Sequence, residues 1–453
     1  MALKTILYNE TYSFGGIKEI LAKANEKKSG DTLAGIAAKS DLERIAAKIV
    51  LAELTVKDIT ENPVIDYDKD SVTRIILDDL DKTIYETVKN LTIGELREYI
   101  LDSKRTSSEL LMLSKGLSSE VIAALCKIMS NLDLMYVSSK VEITAHCNTT
   151  IGKNGTFSSR LQPNHPTDSV KGVTSSLLEG LSYGIGDAVL GLNPAVDTLE
   201  STTNILNLFN DVKTRLEIPT QICVLSHITT QMKALEKGVP MDLCFQSIAG
   251  SEISLNSFGV TTDMLGDANN MMKELSTSEG PNYMYFETGQ GSELSSNGHN
   301  NADQQTMESR CYGLARHYKP FLVNTVVGFI GPEYIYDTKE LMRAALEDNF
   351  CGLMHGLPMG CDICYTNHMK ADQNDVDSLL VMLASSGCRY VMGVPEGDDI
   401  MLMYQSTGYH DIATVREMLN KRPIKEFELW LEKYGIMENG KLTERAGDPT
   451  LFL

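Results

Sequence analysis

From about residue 150 onward the chain repeats one pattern: a short segment rich in β-branched and aromatic residues, then a longer stretch of mixed or helical character. That alternation marks βα units, because a parallel strand needs a crossover before the next strand can pair. Eight segments qualify: Thr156–Leu161, Asp187–Leu192, Thr220–Leu225, Asp242–Phe245, Met284–Phe286, Leu322–Val327, Met354–Met359 and Arg389–Val394. Eight strands across about 240 residues fit the size of a (β/α)8 barrel. An open doubly wound sheet is the competing layout, and its G-x-G-x-x-G fingerprint is missing. Gly184-Ile185-Gly186 resembles its beginning but lacks the third glycine, and no P-loop is present. The expected fold is therefore α/β, a (β/α)8 TIM barrel over residues 151–410.

The flanks read differently. Residues 1–150 are mostly helical in pattern, with Leu33, Ile36, Ile45, Ile49 and Ala52 recurring at helical spacing. Ser40 with Glu43, and Thr92 with Glu95, have capping-box spacing, and Pro63 marks a break. Val121, Leu125, Ile128 and Met129 suggest a further helix. No His, Cys or paired acids concentrate there, so this region is expected to serve as scaffold or subunit contact. Residues 411–453 form an expected helical tail, with Asp411 capping a segment that carries Val415, Met418 and Leu419. Trp430 is expected to pack within a tail helix.

Charge narrows the functional classes. Lys and Arg total 41 against 61 Asp and Glu, a formal charge of −20, with a pI near 4.9. A surface that tracks nucleic-acid phosphates is basic, so that role is excluded as an expectation. No apolar run reaches the ~18 residues needed to span a bilayer, and MALKTILYNETYSF lacks the form of a signal peptide. Nine scattered cysteines favour reduced thiols and a cytoplasmic setting.

In such barrels the active site gathers at the C-terminal ends of the strands. That rim would receive Arg160 and Gln162, then Asn193, Ser226 and His227, then Gln246, Glu287, Phe329, Asp362 and the Asp398–Met401 segment. Closing a barrel requires no such set, although polar residues end strands routinely because loops are wet. Two carboxylates facing one pocket can perform acid–base work, hold a metal, or bind an organic cation. Arg, Gln and Asn beside them would fix a hydroxyl or similar group. The segment Cys361-Asp362-Ile363-Cys364 with His368 has local zinc-like spacing, but a structural site normally needs a fourth ligand and no second C-x-x-C exists. Ordinary packing is the reading preferred for these cysteines. His227 and His317 read as hydrogen-bonding structural residues. The residues alone lead to a polar barrel-mouth enzyme and no further.

At the rim segments the chain becomes recognisable. NTTIGKNGTFSSRLQPN, GDAVLGLNP, YFETGQGSELS, RHYKPFLVNTVVGFIGPEY, MGCDICYTNH and GDDIMLMYQSTGYHD strongly resemble the large subunit of ethanolamine ammonia-lyase. The likeness runs from SGDTLAGIAA to LTERAGDPTLF, essentially the whole chain. It implies an adenosylcobalamin-dependent radical lyase converting ethanolamine to acetaldehyde and ammonia, with the cofactor carrying the hard chemistry. Carried over by position, Glu287 and Asp362 would partner the amino group. Arg160, Gln162 and Asn193 would bind the hydroxyl and amino groups, Arg160 also stabilising charge at oxygen. Phe329 would line the apolar wall, and Pro194, Gln246, Ser295 and Met401 would contact cobalamin. No D-x-H-x-x-G is present, in agreement with cobalamin keeping its own base. The resemblance further implies a separate small subunit and large-subunit dimers grouped as a trimer of dimers. It leaves open residence in a bacterial microcompartment and the choice between ethanolamine and 2-aminopropanol. Two other readings compete: a metal-dependent barrel hydrolase or aldolase using Glu287 and Asp362 with Cys361 or His368, and a catalytically silent assembly subunit.

Overall fold

Eight parallel strands form the centre of the computed structural model, which describes residues 3–453. They are β1 (Ser158–Leu161), β2 (Val189–Leu192), β3 (Ile222–Val224), β4 (Cys244–Ser247), β5 (Met284–Thr288), β6 (Leu322–Val327), β7 (Met359–Ile363) and β8 (Tyr390–Gly393). Around the sheet the order is β3-β2-β1-β8-β7-β6-β5-β4. The first and last strands of the unit pair, Tyr390 beside Ser158 and Gly393 beside Leu161, which curls the sheet into a barrel. The seam between β3 and β4 is thinner. There Leu243 donates its N–H to the Ile222 carbonyl at 3.3 Å. The Gln231 side chain stands in for missing ladder bonds, accepting from Phe245 N–H and donating to the Phe245 and Ser226 carbonyls. A buried strand edge must satisfy its backbone groups, and here an amide side chain does so.

Each strand is followed by a helix: Val170–Ser182, Leu199–Leu216, Ile228–Glu236, Thr262–Leu275, Gln304–Tyr318, Thr338–Met354, Gln373–Ser385 and Tyr409–Met418. Several begin at caps readable in the sequence. Asp303, Asp337 and Asp372 each accept a hydrogen bond from a first-turn N–H, satisfying a donor the helix cannot satisfy itself.

The expected strands match in number and order, with β6 correct at both ends. The seventh is corrected. Met354 ends a helix, the chain turns at Gly356 with φ 77°, and the strand begins only at Met359 after Pro358. Apolar content alone could not separate a helix end from a strand. The fourth strand lies two residues later than expected, at Cys244–Ser247. With these shifts, and with β5 running on to Thr288, Gln246, Glu287 and Asp362 join Arg160 within strands, not beyond their ends, and reach the site through the strand's inward face.

The N-terminal region is helical from Ile17 to Lys140 after a hairpin, Lys4–Leu7 with Glu10–Ser13. Thr92 and Glu95 form a full capping box, and Ser40 accepts from Glu43 N–H. The apolar stripe there is corrected. The helix Asp41–Glu53 buries Ala46, Ala47, Val50 and Leu51, while Leu33, Ile45 and Ile49 are exposed. Small residues face the neighbours because they allow close helix approach. Buried ion pairs tie this region to the barrel helices: Lys28 to Glu347 at 2.8 Å, Lys127 to Asp303 at 2.7 Å, and Arg310 to Asp70 at 2.9 Å. Asp411, expected to open the tail, lies inside the eighth barrel helix, Tyr409–Met418, and accepts from Gly408 N–H, so it supports the helix start without being its cap. Trp430 stacks on Phe452 with centroids 5.5 Å apart and donates to the Leu216 carbonyl.

Candidate active site at the barrel mouth

Side chains alternate across a strand, so register fixes which residues point into the barrel. Arg160 on β1 is buried and carries its guanidinium inward. A Cβ at Gly191 on β2 would lie 2.8 Å from Arg160 Nε, so glycine there makes the room. Arg160 Nη1 donates to Glu287 Oε1 at 2.8 Å and to the Tyr285 hydroxyl at 2.7 Å. Tyr285 in turn donates to the same Glu287 oxygen at 2.7 Å. Tyr285 and Glu287 are two residues apart on β5 and therefore share its inward face. Asn324 on β6 approaches from the side, with Nδ2 3.4 Å from Glu287 Oε1. Burial pulls the Arg160 pKa down, but Tyr285 and Glu287 outweigh it and the net shift is upward.

Asp362 projects from β7 and is buried. It accepts from the Tyr404 hydroxyl at 2.7 Å and from Ser406 Oγ at 2.6 Å. Burial raises its pKa to about 6; Glu287 adds to the rise, while the two hydroxyl donors and Arg160 oppose it. At neutral pH Asp362 is therefore mainly ionised. Tyr404 and Asp399 face each other in a short hairpin, Asp398–Asp399 with Tyr404–Gln405, that follows β8. Gln162 donates through Nε2 to Asp399 at 2.7 Å and to the Tyr404 hydroxyl at 3.0 Å. Asn164 donates to the same Asp399 oxygen at 2.7 Å, and its own oxygen accepts from Asn193 N–H at 2.8 Å. The ring of Phe329 meets that of Tyr404 edge-on at 5.5 Å.

Three buried polar atoms of this constellation have no hydrogen-bond partner among the described residues: Arg160 Nη2, Gln162 Oε1 and Asn324 Oδ1. Leaving such atoms unmade costs roughly 1–3 kcal/mol each, so their concentration in one barrel centre fits a small polar ligand.

The structure thus brings Arg160, Gln162, Glu287 and Asp362 into one connected network, with Asn193 joined to it through its backbone. Phe329 stands beside Tyr404. Pro194 and Met401 are half-buried in loops beyond β2 and β8, and Ser295 is exposed at the end of the short helix Ser292–Ser295 that follows β5. Gln246 is different: its Oε1 accepts from Ile228 N–H at 2.9 Å and its Nε2 donates to the Ser247 carbonyl at 3.0 Å. Ser226 Oγ is buried and has no hydrogen-bond partner among the described residues. His227 caps the helix Ile228–Glu236, and His317 pairs with Asp79 at 2.8 Å, both structural roles. Cys361 and Cys364 are buried, Cys364 Sγ donating to the Val327 carbonyl, while His368 is exposed, so the three do not converge. Among the described residues no group of three or more His, Cys, Asp or Glu is arranged to hold a metal ion.

Sequence reasoning missed Tyr285, Asn324, Asn164, Tyr404 and Ser406. Period-two spacing from Glu287 could have found Tyr285, and a lone amide inside Leu322–Val327 could have found Asn324. Tyr404 and Ser406 lie on the closing hairpin, which has no local signal.

The model of the family "Ethanolamine ammonia lyase large subunit (EutB)" matches residues 12–445. The ethanolamine ammonia-lyase large subunit of Escherichia coli strain K12 is 55% identical over 452 residues, covering 100% of both chains. The large subunit of Salmonella typhimurium strain LT2 matches at the same identity and coverage. A barrel with this inward-facing polar network, matched from end to end, belongs to the ethanolamine ammonia-lyase large subunit family.

Proposed function

We propose that this chain acts with a small subunit as an adenosylcobalamin-dependent ammonia-lyase, converting ethanolamine to acetaldehyde and ammonia. The charge balance at the barrel centre carries this reading. Two carboxylates, Glu287 and Asp362, and one guanidinium face the pocket, with the Asp399 carboxylate behind Gln162, so acidic groups outnumber the cation and the site suits a cationic ligand. Ethanolamine brings one ammonium and one hydroxyl. Glu287, Asp362 and Gln162 Oε1 accept from the ammonium, and Arg160 Nη2 donates to the hydroxyl oxygen. Arg160 is in place before any charge develops there, so little reorganisation is needed during reaction.

The rim fits a broad, partly apolar cofactor. Val196, Phe329, Ile400 and Met403, on loops beyond β2, β6 and β8, are 57, 39, 61 and 73% exposed. Apolar side chains gathered round a barrel mouth suit a large ligand lying across it. Pro194, Ser295 and Met401 would hold its edge, and Gln246 has one amide hydrogen left to offer. Bound adenosylcobalamin supplies hydrogen-atom abstraction from, and return to, substrate carbon. The chain's own tasks are to hold the amine end, fix the hydroxyl and keep water out, the last through Phe329 and Tyr404. Partners in this reading are the small subunit, which completes the cofactor face, and further large subunits as dimers within a trimer of dimers, in the cytoplasm.

Mixing the chain with its small subunit, adenosylcobalamin and ethanolamine should yield acetaldehyde only when all components are present. A folded complex that binds cobalamin and forms no acetaldehyde would count against ethanolamine as the substrate.

A further inference from the structure

Asp399 is buried and uses both carboxylate oxygens fully. Oδ2 accepts from Gln162 Nε2 and Asn164 Nδ2, each at 2.7 Å. Oδ1 accepts from the backbone N–H of Met401 at 3.0 Å and of Leu402 at 2.8 Å. With four N–H donors on its two oxygens this carboxylate acts only as an acceptor, so it dictates which end of the Gln162 amide it meets. The NH2 end must face Asp399. Tyr404 enforces the same choice, because its hydroxyl proton goes to Asp362 and its oxygen is left to accept from Gln162 Nε2. The carbonyl oxygen of Gln162 is then the end left without a partner among the described residues.

We infer that Asp399 is a positioning residue which locks the Gln162 amide with its oxygen toward the ligand, making that wall of the pocket selective for an N–H donor. The inference rests on the amino-alcohol reading above. The same carboxylate seats the turn at Met401, so the orientation of a substrate-facing amide and the shape of the rim depend on one side chain. Asp399→Asn tests it, because a neutral amide presents a donor as well as an acceptor. The Met401 and Leu402 N–H groups keep the new amide's oxygen, so its NH2 faces Gln162 Nε2. That drives the Gln162 amide, against the weaker preference set by the neutral Tyr404 hydroxyl, to turn its NH2 toward the ligand, where it opposes an ammonium. A diol is indifferent, since a hydroxyl can donate or accept.

The measurement is a ligand-observed NMR titration of the large–small subunit complex with 2-aminoethanol and with 1,2-ethanediol, which needs no turnover. Asp399→Asn should weaken the amine about 10-fold or more, the scale of one hydrogen bond to a charged group, and change the diol by no more than about 3-fold. Equal weakening of both ligands, or unchanged amine binding, would overturn the inference. Gln162→Met removes the same acceptor without touching the rim turn and guards against misfolding of the first variant. It should lose amine preference to the same degree, and a retained preference overturns the inference by itself. Wild-type complex that binds the amine selectively yet forms no acetaldehyde with adenosylcobalamin counts against the lyase reading and leaves this inference standing.

Discussion

Arg160 and Glu287 join across the barrel, Nη1 to Oε1 at 2.8 Å, from strands on opposite sides of the ring. Three donors converge on that one oxygen: Arg160, Tyr285 and Asn324. The other carboxylate oxygen takes no hydrogen bond from the described residues, so Glu287 is held rigidly by one oxygen and offers the second. Glu287→Gln keeps an acceptor for Tyr285 but removes the counter-charge of a buried guanidinium. Turnover should fall by at least about 100-fold, the scale of losing one preorganised electrostatic contact. Circular dichroism should show the fold retained. Wild-type turnover in this variant would remove Glu287 from its assigned place at the amine.

Arg160→Lys is not a conservative change here. The guanidinium reaches Tyr285 and Glu287 through Nη1 and the Gly191 carbonyl through Nε, while its Nη2 remains for ligand. A lysine ammonium cannot make these contacts together, because its three donors radiate from one atom. A loss in kcat of about 100-fold or more is expected, larger than the change in KM, because the contact matters most as charge develops at oxygen. Steady-state kinetics separate the two.

The Asp362 carboxyl titrates at about 6, raised mainly by burial. Only its ionised form attracts an ammonium. Amine affinity should therefore be low below that pH, rise as pH climbs through about 6, and level off above it. A plot of log kcat/KM against pH should have a slope near one on its acid limb. Asp362→Asn should remove that limb, and a limb unchanged in that variant would assign it to another group.

Tyr404→Phe deletes a donor that favours the ionised form of Asp362. The acid limb should move to higher pH by up to about one unit, since one hydrogen bond contributes about that much. The edge-on contact with Phe329 needs only the ring and should survive. An unmoved pH profile would show that Ser406 alone sustains the carboxylate.

Burial also raises Glu308 to about 7, with Tyr312 donating to it at 2.8 Å. The folded state therefore holds a proton that the unfolded chain releases near the ordinary carboxylate pKa. Such a group stabilises fully below the unfolded pKa and loses that contribution as pH rises toward 7. Thermal midpoints should fall between pH 5.5 and 8, a window chosen above the ordinary carboxylate pKa of about 4.3. Asp31, Asp348 and Asp362 are raised by burial as well, so Glu308→Gln, which keeps an acceptor for Tyr312, should make that decline shallower and raise the midpoint at pH 8 by a few degrees. Differential scanning fluorimetry across pH reads both.

The barrel was legible because its signals are local. A strand buried on both faces reads as a short apolar run wherever its neighbours lie, as in Leu322–Val327. Helix caps such as Asp303 and Thr92 act within three residues and are equally plain. Met354–Leu357 misled because apolar content there belongs to a helix end and a turn, which differ from a strand only in backbone angles. Leu33, Ile45 and Ile49 misled for another reason: the spacing ran across a break, since Leu33 ends the helix Ser29–Leu33 while Ile45 and Ile49 lie on the outer face of Asp41–Glu53.

The sequence by itself determined the eight βα units, the acidic character and the polar residues delivered to the rim, since each follows from composition and short-range periodicity. Only the tertiary structure decided that Arg160 meets Glu287 across the ring, that Tyr404 and Ser406 hold Asp362, and that Asp399 turns the Gln162 amide. Those partners are separated by 127, 42, 44 and 237 residues. Nothing local connects them. They meet because β8 pairs with β1 and because the hairpin after β8 folds back over the mouth, and both depend on closing the whole barrel.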